Sequence, residues 1–259
     1  MRPEARPAAV AGRFYPGDAV QLRTMIRRML DKIQVPADEP FAPAYVVPHA
    51  GYRFSGPVAA HVYARLERFA DRVDRVVILG PSHFVPFDGC AGSPSGMWET
   101  PLGDVHTVDA PGLPADAAPH EREHSIEVQI PFLQEVLGKV RVTPVAVGAA
   151  RAEDVADVID AAVADDPRTL VLCSTDFSHY HPDDVARELD RRTAAAVVAL
   201  DPALIKRGDA CGIFGLRGLL VWAARKGYKP RQLDLRTSAD TFGNPERVVG
   251  YPAFAIDAA

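Results

Sequence analysis

The stretch that decides the fold is TLVLCSTDFSH, residues 169–179, in which an apolar run of Leu and Val passes straight into a turn carrying Asp176 and His179. The same arrangement occurs at residues 44–52, AYVVPHAGY, with His49, and at residues 75–83, RVVILGPSH, with His83. Short runs rich in Val, Ile and Leu read as strands buried on both faces, the habit of a parallel sheet. Parallel strands place their carboxyl ends along one edge, and open α/β sheets take up ligands at that edge. Three imidazoles and a carboxylate, carried on three turns remote from one another in sequence, are therefore expected to converge in one cleft. Such a cluster suits metal binding, acid–base chemistry or both.

Working outward, Asp18 is placed to cap a helix over 19–33 whose apolar stripe is Leu22, Ile26, Met29 and Leu30. A helix is expected over 57–68, with Pro57 in its first turn. Closely spaced Gly and Pro residues make 84–114 a region of short strands and loops. Helices are expected over 125–137, 153–164, 183–200, 202–206 and 214–226, with strands over 142–147, 232–236 and 248–256. Strand and helix alternate, which implies an α/β/α sandwich around a central mixed, largely parallel sheet. The 259 residues contain no Gly/Ser-rich or charge-rich linker, so a single domain over 1–259 is expected.

Composition narrows the function class. Hydrophobic residues are 47% and charged residues 24% of the chain, the balance of an ordinary globular protein. The net charge is −5 and no Lys/Arg run stands out, which argues against a nucleic-acid or anionic-membrane partner. No apolar stretch approaches the roughly 18 residues of a membrane span. Residues 1–18 lack the apolar segment of a secretory signal. Three widely spaced cysteines imply no disulfide framework, and a cytoplasmic location is expected. There is no P-loop, GxGxxG, GxSxG or CxxC string to support a nucleotide, dinucleotide or serine-hydrolase reading.

Each candidate residue has a functional and a plain reading. His49 sits in Pro48-His49-Ala50-Gly51, where small neighbours leave room for a ligand; alone it would be a loop histidine bonded to backbone. His83 in Gly80-Pro81-Ser82-His83 repeats the pattern, and two imidazoles on one sheet edge fit two ligands of a divalent metal. Cys211, before Gly212, is either a thiolate ligand or poised thiol, or a small buried hydrophobe. Cys173 in its strand and Cys90 in a loop read as structural. Asp176 and His179 can share a proton or hold one another's tautomer; otherwise they belong to a simple turn. In Glu123-His124-Ser125-Ile126-Glu127, His124 and Glu127 are three apart and would share a helix face. A supporting or substrate-binding role for His124 competes there with N-terminal capping. His61, His106 and His120 read as packing or surface histidines.

Taken together, these strings resemble the Memo family, the B component of the AmmeMemoRadiSam gene set. The resemblance runs over nearly the whole chain through Gly12-Arg13-Phe14-Tyr15-Pro16, Pro48-His49-Ala50-Gly51-Tyr52, Leu79-Gly80-Pro81-Ser82-His83, Glu123-His124-Ser125-Ile126-Glu127, Ser174-Thr175-Asp176-Phe177-Ser178-His179, Cys211-Gly212 and Val249-Gly250-Tyr251. It implies a fold like that of the class III extradiol dioxygenases, which use non-haem Fe(II). It implies metal ligands at His49, His83 and Cys211, and an acid–base group at His179 beside Asp176, with His124 nearby. Extradiol dioxygenases complete their site with a carboxylate where this chain has Cys211. A thiolate is softer, which brings copper or zinc into consideration beside iron.

Two functions of different kind follow as expectations. One is a mononuclear metal enzyme acting on a small molecule in the cleft, dioxygenase-like or otherwise redox-active. The other is a non-enzymatic module that holds a metal or a peptide and acts with a radical-SAM partner protein. A metal-free remnant, with its histidines satisfied by hydrogen bonds, is the third reading.

Overall fold

A computed structural model describes residues 5–164 and 166–258. Its strands are β1 (Ala5–Arg6), β2 (Ala44–Val47), β3 (Arg75–Pro81), β4 (Cys90–Gly92), β5 (Met97–Trp98), β6 (Val105–Thr107), β7 (Arg141–Val147), β8 (Thr169–Ser174), β9 (His179–His181), β10 (Lys229–Thr237) and β11 (Val248–Asp257). Its α-helices are α1 (Ala19–Leu30), α2 (Tyr52–Glu67), α3 (Ala118–Glu121), α4 (Ile130–Leu137), α5 (Ala152–Val163), α6 (Asp183–Val198) and α7 (Ile213–Lys226).

The strands make one open sheet in the order β1-β5-β6-β7-β3-β8-β2-β11-β10, with β4 paired to β7 and β9 to β11. The run β6-β7-β3-β8-β2 is parallel throughout. Antiparallel β11 and β10 close one side, so the sheet is mixed, as expected. The decisive feature is that β3, β8 and β2 are neighbours. The three strands whose turns carry His83, Asp176 and His49 thus end side by side.

Alternation along these central strands sorts side chains onto two faces. Tyr45, Val47, Val76, Ile78, Leu170 and Leu172 pack on one side against α1, α2 and α4. Ala44, Val46, Val77, Leu79, Val171 and Cys173 pack on the other against α5, α6 and α7. Both faces are apolar because both are covered, which is why the strands read as continuous apolar runs. Among the described residues no helix is long and apolar enough to cross a membrane.

Several local expectations need correction. The second helix begins at Tyr52, and Pro57 lies inside it rather than in its first turn. Tyr52 is anchored at the outset: its N–H donates to Phe14 O at 2.8 Å and its Oη to Val128 O at 2.7 Å. The helix expected from 125 is a 3-10 turn over Glu127–Gln129 before α4 starts at Ile130. Pro131 has no N–H to donate to the carbonyl of residue 127, so α-helical bonding begins late. Cys90 starts a strand, β4, rather than lying in a loop. His179 opens β9 rather than ending a turn.

Glu127 is buried and holds the N-terminal segment. Its carboxylate accepts from Ala9 N–H, Val10 N–H, Tyr15 Oη and Arg6, all at 2.7–2.9 Å. Arg6 and Glu127 are both buried, so each charge depends on the other.

Candidate metal centre

The cleft lies at the carboxyl ends of β2, β3 and β8. His49 comes from the turn after β2, His83 from the turn after β3, and Cys211 from the residue pair that opens α7. The His49 and His83 rings stand edge to face with centroids 5.2 Å apart. Cys211 Sγ is 3.2 Å from His49 Nε2. Ligand atoms of His49, His83 and Cys211 all lie within 4.8 Å of one another, close enough for one cation.

Cys211 reaches this position because Gly212 follows it. A Cβ at Gly212 would stand 2.8 Å from Thr175 Cβ and 2.9 Å from Ser174 O, so a larger residue would push the helix start away from β8. Backbone bonds then clamp the contact: Cys211 N–H donates to Asp176 O, and Asp176 N–H donates to Sγ, each at 3.2 Å. Burial pushes the thiol well above its ordinary range, and the neighbouring Asp176 adds to that. Without a positive partner Cys211 therefore stays a thiol; a cation is what would make it a ligand.

His83 is held by Glu123, a residue 40 positions away whose role no local sequence signal announces. Glu123 Oε1 is 2.9 Å from His83 Nδ1, and Oε2 accepts the His83 backbone N–H at 2.5 Å. Burial alone would raise the carboxyl, but these bonds outweigh it and bring it down to about 2. An ionised carboxylate only accepts, so His83 Nδ1 carries the proton and Nε2 is left for the cleft. Burial works against the charged form of His83, yet Glu123 raises its pKa overall.

A second cluster, His83, Glu123 and His124, also has the spacing of a cation site. Its chemistry argues otherwise. Besides the two bonds from His83, Glu123 Oε1 accepts the N–H groups of His124 and Ser125, both at 2.9 Å. Glu123 is spent as an orienting group.

His124 does enter the cleft. Its ring stacks on His83 at 4.7 Å and 15°, and meets His49 edge-on at 5.5 Å. Phe14 packs on it at 4.7 Å. Burial lowers its pKa to about 4, so it is a neutral polar wall near pH 7.

Asp176 and His179 are both at this edge, but no hydrogen bond joins them. Asp176 Oδ1 accepts the His49 N–H at 2.8 Å, and burial raises the carboxyl to about 7 against the pull of that bond. His179 Nδ1 donates to Phe177 O at 2.7 Å, which leaves Nε2 as its acceptor. Burial lowers its pKa, so it stands as a neutral base. The shared proton expected for this pair is replaced by two separate backbone anchors.

Of the other histidines, His120 is a buried packing residue, Nε2 at 3.2 Å from Ala91 O, as expected. Cys173 is buried in β8 among apolar neighbours, also as expected.

A family model described as Memo-like protein matches residues 6–255. A MEMO1 family protein of Methanopyrus kandleri is 38% identical over 280 aligned residues, covering 97% of this chain and 98% of its own. MEMO1 family proteins of Desulfurococcus amylolyticus and Sulfolobus acidocaldarius are 35% and 36% identical, covering 96% and 95% of this chain and 97% of their own lengths. On these matches, which span both flanks of the sheet and every strand that feeds the cleft, the chain belongs to the Memo-like protein family.

Proposed function

We propose that the chain holds one transition-metal cation through His49, His83 and Cys211 and serves as a redox or dioxygenase-like protein on a small molecule in the cleft. The observation that carries this reading is the convergence of two imidazole nitrogens and a thiol within 4.8 Å, on turns from two strands and a helix start. Two imidazoles suit iron, copper and zinc alike, and the thiol draws the set toward the softer members. Fe(II) is the favoured occupant by resemblance to the iron dioxygenases, with copper and zinc as its competitors. Such a cation supplies Lewis acidity and, for iron or copper, electron transfer.

The chain's own residues do the rest. His179 offers Nε2 as a proton acceptor, because Nδ1 is tied to Phe177 O. Asp176 fixes the turn that presents His49 by taking its N–H. His124, neutral and packed between Phe14 and His83, lines the cleft without adding charge.

The test is metal content of untagged protein purified without oxygen, measured by mass spectrometry beside His49→Ala. About one iron or copper per chain, lost in the variant, supports the reading. Equal metal content in both proteins, or none in either after reconstitution with Fe(II) and Cu(I), overturns it.

A further inference from the structure

Behind His49 lies a chain of buried polar groups that the cleft does not itself require. Tyr63 Oη donates to Gln129 Oε1 at 2.6 Å. Gln129 Nε2 donates to Pro48 O at 3.0 Å and to Ser174 Oγ at 2.8 Å. Ser174 Oγ donates to Ser125 O at 2.6 Å and lies 2.9 Å from His49 Nδ1. Tyr63, Gln129, Ser174 and His49 are each at most 1% exposed, so no water competes for these bonds.

The direction of every proton in this chain is set by two carbonyls. Pro48 O can only accept, so the nitrogen of the Gln129 amide must face it, and the amide cannot be turned over. Ser125 O can only accept, so the single hydroxyl proton of Ser174 is spent there. The two lone pairs of Ser174 Oγ are then filled by Gln129 Nε2 and by His49. The only remaining role for His49 Nδ1 is donor. Its proton is on Nδ1, and the lone pair on Nε2 points at Cys211 Sγ, 3.2 Å away.

We propose that Ser174, its hydroxyl proton held by Ser125 O, is a positioning residue that locks His49 into the Nδ1–H form and so presets its Nε2 as a lone-pair donor toward Cys211. The consequence for a cation rests on the function proposed above; the tautomer does not. His83 is oriented by a carboxylate and His49 by a neutral hydroxyl, so the two imidazoles are held by different chemistry. A ligand oriented by a neutral partner stays a neutral imidazole, whereas a carboxylate partner adds basicity. Loss of such an orienting partner weakens metal binding by about 10–100-fold in general.

The experiment is long-range proton–nitrogen correlation NMR of the histidine rings in chelator-treated, nitrogen-15-labelled full chain at about pH 8, above the ordinary imidazole pKa. It needs no bound metal. Wild type is expected to show His49 in a single Nδ1–H form, assigned by comparison with His49→Ala. Ser174→Ala is expected to mix the two tautomers and to weaken Co(II) binding by about tenfold or more, read by chelator competition. Gln129→Met, which leaves Ser125 O to take the Ser174 hydroxyl proton, is expected to keep the Nδ1–H form.

An Nε2–H form in wild type overturns the proposal without reference to any variant. A pure Nδ1–H form surviving in Ser174→Ala overturns it as well. Altered tautomers with unchanged Co(II) affinity would break the link to the cation. If wild type shows the Nδ1–H form and binds no Co(II), the relay stands and the metal reading fails.

Discussion

His49 Nε2 and Cys211 Sγ meet at 3.2 Å although 162 residues separate them. The contact is made by β2 and the start of α7, which share no local sequence signal. Cys211→Ser keeps the shape and replaces sulfur by a harder, less acidic oxygen. It is expected to weaken Co(II) binding by at least about tenfold and to abolish the sulfur-to-cobalt charge-transfer absorption of the loaded protein. An unchanged absorption spectrum would place sulfur outside the cation's ligands.

Glu123 is the anchor of His83 and takes four N–H groups on one carboxylate. Glu123→Gln puts an NH2 against groups that are all donors. Unfolding in urea is expected to show a loss of about 2 kcal/mol, the scale of leaving hydrogen-bonding groups without their partner. The His83 pKa, followed by NMR, is expected to fall, since Glu123 is what raises it. A variant with both quantities unchanged would remove Glu123 from the site.

Asp190 on α6 is 1% exposed, with Oδ1 accepting the Ser178 N–H at 2.9 Å and Oδ2 pressed against Gly250. Burial raises its pKa from 3.8 to about 6. The folded chain thus holds this proton more tightly than the unfolded one. Its stabilising share is present below about pH 4 and is lost as pH rises through about 6. Asp190→Asn keeps the acceptor and removes the charge. It is expected to stabilise the protein at pH 7 by about 2–3 kcal/mol, and by nothing below about pH 3. Urea melts of both proteins across that range check it; parallel stability curves would refute it.

Much of the fold was legible because its central strands are covered on both faces. Tyr45–Val47, Arg75–Leu79 and Thr169–Cys173 had to be apolar without alternation, and that is a signal a single sequence carries. Helix starts were less legible. Tyr52 begins α2 five residues before Pro57 because Phe14 O and Val128 O hold it, and both are distant in the chain. Pro131, by contrast, announces its own effect on the turn before α4.

For the site, the sequence by itself determined which side chains stand at the ends of buried parallel strands. His49, His83 and Asp176 had to reach one edge once β2, β3 and β8 shared a direction, and the adjacency of those three strands then gathered them. Only the tertiary structure decided who holds whom. Glu123 serves His83, Asp176 serves the His49 backbone, Phe177 O serves His179, and Ser174 serves the His49 ring. The reason is physical: a hydrogen bond depends on position to within a few tenths of an ångström and on direction, whereas strand polarity is fixed by backbone pairing over many residues.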